Sequence, residues 1–305
     1  MRSINHSGRV SVVIPLYNHS SFIIQALEGV LAQGEIVREV IVIDDGSKDD
    51  SLAVAREFAS KHPMINVTGQ SNSGAATTLN RGMQMTTGEY IAILNSDDYW
   101  MPQRLNRLVK ALDLDAGLDL VSSDIMFVDA DGAEKQNSWY EAALGNFISS
   151  RDLGISLVEA NFLMTTSNYV IRRNTVKAFG GFAEIRYAHD LDFALRLAAN
   201  NRRIGFIDEK LLAYRSHETN TIKESQQKVR VDLAMVIAFY LWLTMNKTPE
   251  DESRIKKINQ IMAKHSLTKA VHKCVGYFIK NPSDFLIHNA IINDFSAQSD
   301  IFAVV

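Results

Sequence analysis

"AILNSDDYW", residues 92–100, turns from apolar to polar in a single step. Tyr90–Leu94 has the look of a buried strand, and Asn95, Ser96, Asp97 and Asp98 follow it at once. Adjacent carboxylates repel each other, so a pair of them at the end of a buried strand calls for a physical reason. Three similar runs precede it: Val10–Ile14, Val40–Ile43 and Ile65–Val67. Val and Ile dominate and most positions are apolar, the pattern of strands covered on both faces. Between the runs, Ser21–Gln33 aligns Ile24, Leu27, Val30 and Leu31 on one helical face. Ser51–His62 aligns Leu52, Ala55 and Ala59 behind a capping Ser51. One strand in roughly every 25–30 residues predicts repeated βαβ units and a mostly parallel, Rossmann-like sheet flanked by helices, an α/β fold.

In such a sheet, ligands bind beyond the carboxyl ends of the strands. The first strand is followed by Pro15, Leu16, Tyr17 and Asn18, and the second by Asp44, Asp45, Gly46 and Ser47. Gln70-Ser71-Asn72-Ser73-Gly74 comes shortly after the third. Each stretch has a structural reading: Asp-Gly and Asn-Ser-Gly are common turns, and Asp44 or Ser47 can cap a helix. Turns do not require Asp45 and Asp97 to share one rim, however. Carboxylates gathered there suit a hard divalent cation, Mg²⁺ or Mn²⁺, which binds through one or two carboxylates together with substrate phosphates.

Beyond residue 100 the pattern loosens. Pro102–Leu114 and His189–Asn200 read as helices, and Leu118–Ser122 and Asn168–Ile171 as strands. Ile204–Ile207 with Leu211–Tyr214 read as a closing strand pair, and the chain from Ser225 onward as helical. Asp131–Ser150 reads as polar and irregular, and no acceptor motif is visible in Asp131–Ser167. The 305 residues suit one large domain, or one domain with an appendage. A formal charge of −3 gives no argument for a nucleic-acid partner. The single cysteine, Cys274, excludes an internal disulfide and fits a reducing, cytoplasmic compartment. Met1–Arg9 lacks the apolar core of a secretion signal. Leu233–Met245 is shorter than the ~20 residues of a membrane span, so it is expected to be a buried helix or a homodimer contact.

"SVVIPLYNHSSFIIQALEGVLAQ", "EVIVIDDGSKDDS", "NSGAATTLNRGMQMTTGEYIAILNSDDYWMPQRL" and "HDLDFALRLA" together resemble the family 2 glycosyltransferases with the GT-A fold, over about residues 8–217. The resemblance implies a catalytic domain over 1–220, with a nucleotide-binding half at about 8–100 and an acceptor half at about 101–220. A helical extension over 221–305 follows. It also implies a nucleotide-diphosphate sugar donor (a UDP-sugar first), a divalent cation, and inversion at the anomeric carbon. The expected acceptor is a surface glycan or its lipid-linked precursor, as in polysaccharide biosynthesis. Carried over by position, Pro15, Tyr17, Asn18, Asn72, Gly74 and Asn80 lie where the donor is held, and Asp45 matches the carboxylate on the base. Asn95-Ser96-Asp97 matches the Asp-x-Asp motif, with Asn95 in place of its first Asp and Asp97 as the metal ligand. His217, in "YRSHETN", matches a histidine that reaches the metal or diphosphate. Leu79 stands where the family has Arg.

Sugar transfer to a hydroxyl needs a base, and a nucleoside diphosphate leaves without a general acid, so one carboxylate suffices. Asp190 opens the helix at "HDLDFALRLA" away from the face of Leu191, Ala194, Leu195 and Ala198; by residue type it reads equally as an N-cap. The resemblance selects Asp190 as the base, with His189 where the family has Glu; Asp192 is a weaker candidate. Arg215 reads as a phosphate partner or a solvated charge, and Trp100 as a packing residue or a sugar platform. Residues 254–280 carry Arg254, Lys256, Lys257, Lys264, Lys269, Lys273 and Lys280 without an acid, beside the stripe Ile255, Ile258, Ile261, Met262, Val271, Val275 and Phe278. That pattern suits either a packed helix with a solvated face or peripheral contact with the inner face of the plasma membrane. Two other functions compete: a silent nucleotide-sugar-binding module and a nucleotidyltransferase. The latter usually has a Gly-rich basic loop after the first strand, which "PLYNHSS" lacks. The absence of G-x-G-x-x-G there argues against a nicotinamide Rossmann protein.

Overall fold

The structure is a computed structural model that describes residues 8–218, 220–245 and 249–280. The extension beyond residue 280 lies outside the described residues. The first part alternates strand and helix as expected: β1 (Val10–Leu16), α1 (Ile23–Leu31), β2 (Val37–Asp44), α2 (Ser51–Ser60), β3 (Ile65–Gly69), α3 (Ala75–Met85) and β4 (Tyr90–Ile93). There follow β5 (Tyr99–Trp100), α4 (Arg104–Leu114), β6 (Leu118–Val128), β7 (Glu134–Lys135), α5 (Ser138–Ser150) and α6 (Leu153–Glu159). Then come β8 (Val170–Arg172), α7 (Arg173–Phe179), α8 (His189–Ala199), β9 (Arg203–Arg215), α9 (Gln226–Thr244), α10 (Pro249–Lys264) and α11 (Thr268–Lys280).

The described residues fall into two compact units. The first draws on Met1–Gln136, Thr165–Gly181 and Arg203–His217 and holds the sheet, in the order β3-β2-β1-β4-β8-β6-β9-β5 with β7 beside β6. β3, β2, β1 and β4 are parallel, with Val13 beside both Ile41 and Ile93. β8 joins that block to β6 through antiparallel ladders on both sides. Val12, Ile14, Val40, Val42, Ile43 and Ile93 are fully buried, each contributing about 1.5–3 kcal/mol by leaving water. The buried stripe of α1 is Ile23, Ala26, Leu27 and Val30, offset from the predicted face. Ser51 does not cap α2; Asp49 Oδ1 accepts its N–H at 3.0 Å, and Ser51 lies inside the helix. Ile204–Ile207 and Leu211–Tyr214 form one strand rather than a pair, because both halves pair with β6 and a register irregularity at Asp124 absorbs the polar residues between them.

The second unit draws on Asn137–Met164, Phe182–Arg202 and the residues from Glu218 on. α5 occupies most of the stretch expected to be irregular; Asn137 caps it by accepting Tyr140 N, and Tyr140, Ala143 and Leu144 are buried. Ala234–Leu241 of α9 are all buried, in accord with the buried-helix expectation for 233–245. Ile258, Met262, Val271 and Phe278 also face inward, while Lys256, Lys257, Lys264, Lys269 and Lys273 are exposed. The apolar stripe of α10 and α11 therefore serves packing. Among the described residues, no helix is long and apolar enough to cross a membrane.

Candidate active site

Asp97 and Asp98 are adjacent in sequence, but their side chains have different surroundings. Asp98 is buried, accepting Ser167 Oγ–H at 2.6 Å and Arg215 N–H at 2.9 Å. Burial and then the neighbouring Asp97 charge push its carboxyl well above the usual range. Asp97 Oδ2 lies 3.0 Å from His217 Nε2. Burial pushes Asp97 up, but the His217 hydrogen bond and the His19 and His217 charges outweigh it and hold the carboxyl low. The two adjacent carboxylates thus have distinct electrostatic roles.

Sequence reasoning missed His19. Its Nδ1 lies 2.8 Å from Ser96 Oγ, and its N–H donates to Ser51 Oγ at 2.8 Å. The His19 and His217 rings meet edge to face at 5.5 Å, and Phe22 packs on both, at 5.8 and 5.1 Å. Burial holds the His19 imidazole below its ordinary value. His19, Asp97 and His217 each offer a ligand atom, all within 4.8 Å of one another. Two imidazoles and a carboxylate are a donor set that fits a divalent cation. The available signal was the position of His19, just beyond β1 and beside β4, on the rim already singled out.

The Arg215 guanidinium does not lie in solvent. It is buried, donating to Asp97 O (2.9 Å), Asp129 O (3.2 Å), Ala130 O (2.7 Å) and Gln25 Oε1 (2.5 Å), and so clamps the loop that carries Asp97. Trp100 is buried too, its indole N–H donating to Ser167 O at 3.2 Å, which is the packing role.

At the end of β2, Asp45 Oδ1 accepts Ser73 N–H and Gln70 Nε2–H, both at 2.8 Å, and Oδ2 accepts Gly74 N–H at 2.9 Å. Asp45 therefore gathers the loop containing Asn72 and Gly74. Gly46 has φ +75°, and a Cβ there would meet Asn72 N at 2.9 Å, so only glycine fits this turn. The loop after β1 joins the Asp45 and Asp97 groups: Asp45 N donates to Leu16 O (2.8 Å), Asn18 N to Ser47 Oγ (3.0 Å), and Lys48 N to Asn18 Oδ1 (2.7 Å). Tyr17 is exposed and Pro15 half-buried. Asn80 abuts Gly181, where a Cβ would come within 2.0 Å of its Oδ1. The Asn95 amide bridges two hydroxyls, donating to Thr165 Oγ1 (2.9 Å) and accepting from Thr166 Oγ1 (3.1 Å).

In the second unit, Asp190 is the second residue of α8, whose N-cap is Ala188, so it does not stand at the N-cap position, although its carboxyl meets N–H groups of the first turn. It is buried and accepts Asn161 Nδ2–H at 2.8 Å. Burial pushes its carboxyl up, against the opposing effects of His189, helix N–H groups and Asn161. Asn161 Oδ1 and His189 Nδ1 are buried without hydrogen-bond partners among the described residues. Asp192 instead forms a buried ion pair with Arg196 at 2.7 Å, a structural use.

Residues 11–177 match the family model described as glycosyl transferase family 2. Among curated proteins, the chain is similar to the uncharacterized glycosyltransferase YibD of Escherichia coli, 26% identical over 236 residues. That match covers 73% of this chain but 66%, just under two thirds, of the relative's length. Among solved structures, Staphylococcus aureus TarS 1–349 in complex with UDP-GlcNAc superposes with a TM-score of 0.64 at 18% identity, covering 97% of this chain and 84% of that one. The mannosyltransferase PcManGT from Pyrobaculum calidifontis, in complex with GDP-Man and Mn²⁺, gives 0.61 at 17% identity, covering 97% and 86%. At such identities the solved structures speak for the fold, and the family match covers more than half of the sequence. The chain belongs to glycosyl transferase family 2 and carries a glycosyltransferase domain of the GT-A fold.

Proposed function

We propose that the chain transfers a sugar from a nucleoside-diphosphate donor, a UDP-sugar first, to a hydroxyl of a glycan or lipid-linked glycan, with inversion at the anomeric carbon. The observation that carries this reading is the pairing of Asp97 with His217 beside His19 on the ligand-binding rim of the sheet. The complexes of TarS with UDP-GlcNAc and of PcManGT with GDP-Man and Mn²⁺ support the donor class and the use of a divalent cation, Mn²⁺ or Mg²⁺. Asp97 and His217 hold the cation, which when bound supplies positive charge against the diphosphate. Asp45 faces the base, and Pro15, Tyr17, Asn18, Asn72, Gly74, Asn80, Asn95 and Ser96 hold the rest of the donor. Asp190 is the general base. As the acceptor oxygen bonds to the anomeric carbon, the bond to the diphosphate breaks with its electron pair, and the hydroxyl proton passes to the Asp190 carboxylate. The unpartnered polar atoms of Asn161 and His189 support a ligand-facing role for Asp190, because leaving each unpaired costs about 1–3 kcal/mol.

In this reading residues 1–220 are the catalytic domain and 221–305 the extension. The exposed lysines of α10 and α11 suit an anionic membrane surface on the cytoplasmic side. A homodimer through 233–245 has less support, since Ala234–Leu241 and Thr244 of that run are buried within their own unit. A silent donor-binding module is favoured by one observation, the engagement of both ends of the Asn95 amide by threonines. A donor screen with UDP-, GDP- and dTDP-sugars and Mn²⁺, following nucleotide release with and without acceptor extracts, decides between the two. Acceptor-dependent release establishes transfer, and binding without release establishes the silent module.

A further inference from the structure

We propose that His19 is a third protein ligand at the Asp97–His217 site, so that the chain takes a transition-series divalent cation in preference to Mg²⁺ before any nucleotide binds. The inference rests on the reading of Asp97 and His217 as metal ligands and extends it to a residue that no family motif supplied.

His19 reaches the site from the β1 loop, Asp97 from the end of β4 and His217 from just beyond β9. His19 is pinned at its backbone by Ser51 and at Nδ1 by Ser96, which fixes the ring; in the tautomer whose Nδ1–H donates to Ser96 Oγ, Nε2 carries the lone pair for the ion. A ligating histidine ordinarily has its second nitrogen held in this way. His217 Nε2 and Asp97 Oδ2 are 3.0 Å apart, the spacing of neighbouring ligands on an ion bound at ~2.1 Å. Phe22 covers both imidazoles and limits the water that competes for the ion. Imidazole nitrogens suit ions such as Fe²⁺, Ni²⁺ and Zn²⁺, whereas Mg²⁺ demands oxygen ligands and gives up its waters reluctantly. Two neutral imidazoles and one carboxylate leave a bound dication with one positive charge for an incoming diphosphate. The competing account is that His19 only tethers Ser96 and packs on Phe22.

The test uses the full chain without nucleotide, titrated calorimetrically with Co²⁺, Mn²⁺ and Mg²⁺, with Co²⁺ also followed by visible absorption and proton NMR. Co²⁺ should bind at least ~10-fold more tightly than Mg²⁺. The wild-type cobalt protein should show two contact-shifted exchangeable imidazole N–H signals. His19→Gln should lose one of them, change the cobalt absorption bands and weaken Co²⁺ by ~10-fold or more, with little effect on Mg²⁺. A single imidazole signal in the wild type overturns the proposal even if the variant does not fold. Equal Co²⁺ affinity in wild type and His19→Gln, or Mg²⁺ binding as tight as Co²⁺, also overturns it. UDP-sugar binding to the cobalt protein is measured separately. Its failure alongside two imidazole signals would count against the donor reading and leave the His19 ligation standing.

Discussion

Strands β1 and β4 carry charge at both ends, and the two ends treat it differently. At the amino ends, Arg9 donates to Glu89 Oε2 (2.8 Å) and with two nitrogens to Asp113 (2.7 and 2.8 Å). Tyr90 OH also donates to Asp113, at 2.7 Å, and the Arg172 guanidinium takes the carbonyls of Leu112, Asp115 and Leu118. There, fixed cations meet fixed anions, and burial with the Asp113 hydrogen bond pushes the Tyr90 hydroxyl up, so that it stays neutral. At the carboxyl-terminal rim, Asp45, after the neighbouring β2, is held by backbone and amide N–H groups, and after β4 Asp98 is held by a hydroxyl and a backbone N–H and Asp97 by imidazole. Ion pairs close a charge cluster. Neutral donors hold Asp45 and the buried Asp98 without an ion pair, and imidazole holds Asp97 without cancelling its charge. One end of the sheet is thus closed by ion pairs, while the other leaves the Asp97 carboxylate beside imidazoles, the end proposed to bind ligand.

The predictions that sharpen or break this contrast begin with Asp190→Asn. It should lower acceptor-dependent transfer by about 10²–10⁴-fold while donor binding is kept, as measured by nucleotide release and calorimetry. Because burial raises the Asp190 pKa, the carboxyl loses its charge at a higher pH than an ordinary one. The acid limb of kcat/KM should therefore lie above the usual carboxylate value of about 4. A carboxyl that binds its proton more tightly folded than unfolded costs stability as pH rises through that range. Asp190→Asn should then be at least as stable as wild type at neutral pH, and the advantage should fade below the unfolded pKa. A less stable variant at neutral pH would show that Asp190 is mainly structural.

Next in size, Asp97→Ala should weaken metal-dependent donor binding by about 10–100-fold, as measured by calorimetry. An unchanged cation requirement would break the contrast at the ligand-binding end. Arg9→Ala should do the reverse, costing about 2–3 kcal/mol in urea denaturation and leaving donor binding untouched, because Asp113 loses a charged hydrogen-bond partner. Asn95→Asp should have the smallest effect, a stability change within about 1 kcal/mol by urea melts. The Thr165 hydroxyl can rotate to donate to the new carboxylate, and the Thr166 hydroxyl already donates.

The repeated βαβ pattern was legible because Val- and Ile-rich runs alternate with helical stripes, and the rim residues followed from where parallel strands end. Other features were not legible, each for a local reason. Asp208, Glu209 and Lys210 look like a turn in the sequence, and only pairing with β6 draws them into β9. Ser138–Ser150 has a weak apolar stripe, so its helix depends on the Asn137 cap and on burial of Tyr140, Ala143 and Leu144. An arginine after a strand looks available to a ligand, yet Arg215 is enclosed by backbone carbonyls distant in sequence. The predicted face of α1 was displaced because Ile23 and Ala26, rather than Ile24 and Leu31, point into the core.

Periodicity alone determined that this chain builds a layered α/β sheet, and the ends of the strands determined that Asp45 and Asp97 lie at its carboxyl-terminal rim. Those properties are local, set by side-chain alternation and by residues a few positions apart. Only the tertiary structure decided that His19, Asp97 and His217 meet, that Asp98 turns inward while Asp97 does not, and that Arg215 is a clamp. Each of these depends on contacts between segments separated by tens to hundreds of residues, and a linear pattern carries no record of which distant polar group satisfies which.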